Sequence, residues 1–187
     1  MDKQICFIYT ETNGLHQTED VVSKKNLYCF ARMVCLNYEI GYFKNNEFTQ
    51  TKKVRHIIKP RCMTIKEDTI KFHGITYENA CQNGSEIEVV LKEFKDDIKN
   101  VDIIVSHNID FHLRTIIAEA IKYNFMIDFK NYIIIDTISF YHNYGYLKLK
   151  DLANKLKINE DMSNLEYIKI VFLKLYIRFQ KSVKKAE

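Results

Sequence analysis

The sequence predicts an α/β fold in which one domain, residues 1–187, is built on a mixed β-sheet. Short apolar segments with short connections dominate its first third, which favours antiparallel strands. After residue 85, apolar strands alternate with segments whose apolar residues recur at helical spacing. This order is typical of an α/β domain with strands in both orientations. With 187 residues, 47% of them hydrophobic, the chain is long enough to bury a core.

Four strands are predicted in the N-terminal third. The first covers residues 5–10 and ends before the Asn13-Gly14 turn. Aromatic and aliphatic residues at 27–36 predict the second strand. Two further strands are predicted at 38–43 and 48–59, joined by a turn at 44–47.

Helices and strands alternate in the remainder. Ser85 and Glu88 have the spacing of a capping box, which predicts a helix with apolar residues at 87, 90, 91 and 94. Asp110 is predicted to cap a second helix at 110–123, and Asp136 a short one. The other predicted elements are strands at 101–105 and 132–135 and helices at 149–156 and 165–183.

Composition and charge restrict the environment more than the function. A net charge of +4 allows contact with phosphate without requiring it. The five cysteines show no zinc spacing, so we expect reduced thiols, most of them buried. Neither a signal peptide nor an 18-residue apolar span is found, which predicts an intracellular, cytoplasmic protein without a membrane segment.

Four sequence blocks follow one another in a defined order. They read FIYTETNGL at 7–15, a proline at 60 with HGIT at 73–76, VSHNIDFH at 105–112, and IDT at 135–137 before a leucine-patterned helix. The set resembles the motifs of the DEDD superfamily of 3′–5′ exonucleases, in its RNase T and proofreading branch. The resemblance covers roughly residues 4–175 and implies an RNase H-like fold, with a mixed five-stranded sheet and helices on both faces. It also implies four carboxylates around two divalent metal ions that activate a water.

The sequence departs from this pattern at the catalytic positions. Tyr9 occupies the position of the family's first Asp, and His112 that of the Asp in the third block. Asn159 and Asn164 occupy the positions of the final His and Asp. Of the four metal-binding carboxylates, Glu11 alone remains. Neutral phenol, imidazole and amide groups supply no negative charge. One carboxylate cannot offset the repulsion between two dications. We therefore expect no catalytic residue at these remnant positions and no metal cofactor, Glu11 being the one candidate ligand.

Other polar residues near these blocks are weaker candidates for nucleic-acid binding. They are His73, Gly74, His107, Asn108, Lys181, Lys184 and Lys185. For each, a structural role is the favoured alternative. The glycine allows close backbone approach, the His-Asn pair and Glu11 bond backbone groups, and the lysines form a solvated basic tail from about residue 179.

The resemblance leaves three hypotheses. The first is a catalytically inactive exonuclease-like domain that binds a protein partner, nucleic acid or both. The second is an active 3′–5′ exonuclease for single-stranded DNA or RNA ends, with Mg²⁺ or Mn²⁺ held by a remodelled site of Glu11, His107, Asp110 and Asp161. The third is a structural role in an assembly. A fold alone does not decide among them, because function resides in the site.

Overall fold

The computed structural model describes residues 3–44, 47–139, 147–158 and 161–183, with side chains to residue 177, around one five-stranded sheet. Its strands are β1 Gln4–Thr12, β2 Met33–Lys44, β3 Glu47–Ile57, β4 Ile103–Ser106 and β5 Ile133–Asp136. They lie in the order β3-β2-β1-β4-β5. The β1–β2 and β2–β3 pairs are antiparallel, whereas the β1–β4 and β4–β5 pairs are parallel. The predicted mixed sheet is therefore confirmed.

Helices cover both faces of this sheet. They are α1 Glu67–His73, α2 Tyr77–Asn83, α3 Ile87–Asp97, α4 Ile109–Lys122, α5 Leu149–Lys155 and α6 Asn164–Val183. Alternate residues of β1 point to opposite faces. Cys6 and Ile8 pack in the core with α3 and α4, and Ile5 and Phe7 pack with α5 and α6. This arrangement confirms the predicted α/β, RNase H-like architecture.

The predicted strand at 27–36 is wrong in its first half. Residues Leu27–Cys29 form a 3₁₀ turn, and β2 then runs without interruption through the predicted break at Asn37. Asn37 pairs with Tyr9 on one side and Arg55 on the other, so a polar residue continues the strand here. These three residues form a row across the sheet, and all three line the groove described below.

The segment between β3 and α3 holds two helices that the sequence did not predict, α1 and α2. Gly74 ends α1 with φ of 71°, a left-handed conformation that glycine adopts without strain. No atom lies within 4 Å of a Cβ built on Gly74. The expected close backbone approach is therefore wrong, and the glycine serves the backbone conformation instead.

The predicted capping box at the start of α3 is also wrong. The Ser85 amide donates to the Ile57 carbonyl and the Ser85 carbonyl accepts from the Lys59 amide, at 2.8 and 2.9 Å, so Ser85 forms an isolated parallel bridge with Ile58, just after β3. Glu86 is the N-cap residue, and no side chain caps the helix. The helix nevertheless buries its apolar residues as the spacing predicted.

All five cysteines are free thiols. Cys6 and Cys35 are buried as expected, but Cys62 is exposed, and the other two are partly buried. Within the described ranges, no helix is long and apolar enough to cross a membrane.

A buried ion pair joins β2 to α4. The Glu119 side chain is 2% exposed and accepts from Arg32 Nε at 2.7 Å and Nη2 at 3.3 Å. The Met33 amide donates to the same carboxylate at 3.0 Å. This contact fixes the start of β2 against the last turn of α4.

Candidate functional site

A cleft of about 480 Å³ lies at the end of β1, where the first and third sequence blocks meet. Its walls come from β1, α1, the first turns of α4 and the starts of α5 and α6. Tyr9, Glu11, His112 and Asn164 all line it. The four positions that the resemblance placed together are therefore neighbours in space.

His112 is tied to the end of β1 by hydrogen bonds. The ring, 3% exposed, accepts at Nδ1 from the Thr10 amide at 3.1 Å and the Thr10 hydroxyl at 2.8 Å. A further hydrogen bond joins the imidazole to the His107 backbone, and burial lowers the His112 pKa to about 3. The Tyr9 ring packs on it with centroids 4.6 Å apart. His112 is therefore neutral, and both ring nitrogens are occupied.

Glu11 faces the same cleft and hydrogen-bonds the Asn164 side chain. Burial raises the Glu11 pKa to about 7, although the bond to Asn164 and the charge of Arg55 act in the opposite direction. The expectation that Glu11 bonds backbone amides is wrong, because the Asn164 side chain takes that role. This carboxyl therefore binds a proton at higher pH than an exposed glutamate does.

This shifted pKa predicts a pH-dependent stability. The Glu11 pKa is near 4.5 in the unfolded state and about 7 in the folded state. Between these pH values the folded state binds more protons than the unfolded state, so the free energy of unfolding falls as pH rises from 4.5 to 7. We expect Glu11→Gln to be more stable than the parent at pH 8, by up to about 3 kcal/mol, and little different at pH 4.5. Urea unfolding at both pH values measures this. An equal gain in the exposed Glu47→Gln control would contradict the assignment.

The N-terminus of α4 is capped by a residue that is distant in sequence. Asp136 accepts from the Asn108 and Ile109 amides at 2.9 and 3.0 Å, and from the Ile138 amide at 2.9 Å. Asn108 itself has φ of 59°. The prediction that Asp110 caps this helix is wrong, because its carboxylate pairs with Arg114 at 2.7 Å. Asp136 also bonds the turn after β5, as predicted.

His107 lines the cleft and forms hydrogen bonds to two other segments. Its Nδ1 lies 2.8 Å from the Thr137 hydroxyl and its Nε2 2.8 Å from the Leu147 carbonyl. The side chain is 6% exposed, and burial lowers its pKa. These bonds join β4 to the segment that precedes α5.

A larger groove of about 1100 Å³ continues from the cleft across β2 and β3. Lys53, Arg55, Lys148 and Lys150 line it, with three carboxylates. Lys53 pairs with Glu166 at 3.0 Å, whereas no carboxylate of the described chain pairs with the other three cations. The sequence reasoning missed these residues, although cations at 53 and 55 lie on one face of a strand.

His73 lines this groove and keeps its second ring nitrogen buried in the wall. Its Nδ1 accepts from the Ile75 amide at 3.0 Å, which places the ring proton on Nε2. Burial and the charge of Arg55 lower the His73 pKa. Among the described residues, nothing bonds the buried Nε2. Phe72 stands beside it at the rim, 87% exposed.

The remodelled set of carboxylates is not assembled at the cleft. Asp110 and the exposed Asp161 are not among the residues that line it. No three His, Cys, Asp or Glu side chains of the described ranges lie close enough to hold a metal ion. Of the other candidates, Lys181 lies in α6 without a described side chain. Asn159, Lys184 and Lys185 lie outside the described residues.

Comparison with known proteins agrees with this geometry. The model of the RNase T exonuclease family matches residues 7–163. The chain belongs to this family. The matched residues run from β1 to the loop before α6. The match confirms the predicted DEDD-type superfamily. No curated protein sequence matches the chain.

Solved structures of Exonuclease I share the fold of this family member. The enzyme of Methylocaldum szegediense superposes with a TM-score of 0.73 at 13% identity, over 94% of this chain and 41% of that one. E. coli Exonuclease I in complex with a 5cy-dT13 oligonucleotide gives 0.73 at 12% identity, over 97% and 42%. An Exonuclease I/SSB-Ct complex gives 0.72 at 11% identity, over 97% and 42%. The chain thus spans less than half the length of these proteins.

Proposed function

We propose that this exonuclease-family domain binds single-stranded nucleic acid in the cleft and groove without metal-dependent hydrolysis. The observation that carries the proposal is the charge of the cleft. Among the described residues that line the cleft, Glu11 is the single carboxylate, and its pKa is raised to about 7. In the adjoining groove Lys53 pairs with Glu166, whereas Arg55, Lys148 and Lys150 pair with no carboxylate of the described residues and outnumber Asp151, the remaining carboxylate there. Such a surface attracts phosphate instead of repelling it.

The side chains at the cleft do not fit a pair of divalent ions. Mg²⁺ requires oxygen ligands with enough negative charge to offset its own. Tyr9 is a phenol, His112 is neutral with both nitrogens bonded, and Asn164 is an amide bonded to Glu11. No catalytic step is therefore assigned to a metal ion.

The groove also has the other contacts that a single strand uses. Single-strand binding combines cations along the backbone with exposed aromatic rings for the bases. Arg55 suits a phosphate, and the exposed Phe72 ring suits a base. The related fold of E. coli Exonuclease I, in complex with an oligonucleotide, supports this choice.

The decisive experiment measures hydrolysis and binding on the same labelled single strands, DNA and RNA. We expect no shortening of either strand in Mg²⁺ or Mn²⁺, and binding that persists in EDTA and weakens with salt. Cleavage that depends on the metal would overturn the proposal in favour of the active enzyme. Absence of binding at low salt would instead leave a protein partner as the ligand of this domain.

Neutralising two cations of the groove tests the location of the strand. We expect Arg55→Gln with Lys148→Gln to lower the slope of log affinity against log salt by about 1.4, since each phosphate contact on a single strand contributes about 0.7. Lys95→Gln with Lys130→Gln is the matched control, because neither lysine lines the cleft or groove. Equal slopes in the two variants would exclude this groove as the binding surface.

A further inference from the structure

A second cavity, of about 550 Å³, lies at the other end of α4. The loop between β1 and β2, the segment after β3 and the last turn of α4 form its walls. Its cations are Lys24, Arg32, Lys66 and Lys122, and none of its lining residues is a carboxylate. We call it the lysine pocket.

Three of the four cations of the lysine pocket have no carboxylate partner among the described residues. Arg32 already pairs with Glu119, but in the described part of the chain no carboxylate pairs with Lys24, Lys66 or Lys122. Burial and the neighbouring charge of Arg32 lower the Lys122 pKa. A concave surface of unpaired cations concentrates anions, because a bound anion relieves the repulsion between them.

Two exposed apolar side chains accompany these lysines. Tyr28 and Leu15, 82% and 81% exposed, both line the lysine pocket. Gly14 and Leu15 line the cleft as well, so the two cavities adjoin at this turn. An exposed ring beside cations is the combination with which proteins hold a nucleotide, since the ring stacks on the base.

We propose that the lysine pocket is a second nucleotide-binding site, in which Lys66 and Lys122 hold a phosphate group and Tyr28 stacks on a base. The phosphate comes from the strand in the cleft or from a free nucleotide; the first source rests on the proposed function, and the second does not. His112 and Lys122 are ten positions apart on α4, about 15 Å along its axis. A strand that passes Leu15 would therefore contact both ends of this helix.

Cys62 is a reporter for this site, because its exposed thiol lines the lysine pocket. Its alkylation by iodoacetamide is followed by mass spectrometry, with Cys81 as the internal reference since it does not line the pocket. The probes are a single-stranded oligonucleotide, a nucleoside 5′-monophosphate and inorganic phosphate. At ten times the dissociation constant of the probe, we expect labelling of Cys62 to slow about tenfold, because only the free fraction reacts.

The probes distinguish the two sources. Protection by the oligonucleotide alone assigns the pocket to a strand, and equal protection by the monophosphate assigns it to a free nucleotide. Lys66→Gln with Lys122→Gln should abolish protection and, where a strand is the source, lower the salt slope of its binding by about 0.7, the share of one phosphate contact, unlike the Lys95 and Lys130 control. Unchanged protection in that variant, or no protection by any probe, would overturn the proposal. A slope that changes with Lys66 and Lys122 but not with Arg55 and Lys148 would retain this site and reject the cleft.

Discussion

Placing two carboxylates in the cleft is expected to abolish most strand binding. In Tyr9→Asp with Asn164→Asp, two negative charges join Glu11 where the proposed strand lies. A unit charge about 5 Å from a phosphate repels it by about 3 kcal/mol at an effective dielectric constant of 20. Neighbouring carboxyls raise one another's pKa, so the new groups are only partly ionised. We therefore expect the affinity at pH 8 to fall by at least about a hundredfold. Fluorescence anisotropy with a labelled single strand in EDTA measures it.

The matched control is Tyr9→Asn, which removes the same ring without adding charge. His112 is not used as a position for a new carboxylate, because it is buried and bonded to Thr10, so a charge there would disturb the fold. If the charged and neutral variants bind equally well, the strand does not lie in the cleft. Mn²⁺ should restore binding to the charged variant alone, because three carboxylates can then share a divalent ion.

Breaking the ion pair between β2 and α4 is expected to have the largest effect on stability. Arg32→Met retains most of the side-chain volume but leaves the Glu119 carboxylate, 2% exposed, without a countercharge. Removal of one partner of a buried pair typically costs about 3–5 kcal/mol. Urea unfolding of the variant and the parent measures the difference.

The loss of stability in Arg32→Met is compared with that in two further variants. Arg61→Met removes an arginine that pairs with Glu86 and Glu88 at the surface, where ion pairs contribute little to stability. Arg32→Met with Glu119→Gln should recover much of the lost stability, because no unpaired charge remains buried. A loss at Arg32 no greater than that at Arg61 would show that the pair contributes little.

The sequence predicted the elements whose signal is local. Apolar spacing predicted α3, α4, α5 and α6, and the short apolar segments predicted β1, β4 and β5. The seven-residue helices α1 and α2 were missed, because neither is long enough to show a periodic apolar face. Leu27–Cys29 has the composition of a strand but forms a 3₁₀ turn, which tertiary contacts decide.

The sequence predicted which residues form the candidate site but not the hydrogen bonds that they make. The motif order brought Tyr9, Glu11, His112 and Asn164 together, as the structure has them. Their hydrogen bonds connect residues far apart in sequence, and local spacing carries no information about such pairs. Thr10 is 102 positions from His112, and Asp136 is 27 from the Ile109 amide that it caps. Arg55 was missed because its neighbours Asn37, Glu11 and His73 come from three separate segments, β2, β1 and α1.

The neutral hydrogen bonds of His112 have a consequence for the relation between stability and function. A cleft built from several carboxylates stores mutual repulsion whenever its ions leave, so that readiness for catalysis lowers the stability of the empty protein. Here an uncharged imidazole joins Thr10 to α4, and no such repulsion is stored. At the position of His112, therefore, the fold needs no divalent ion to offset a charge.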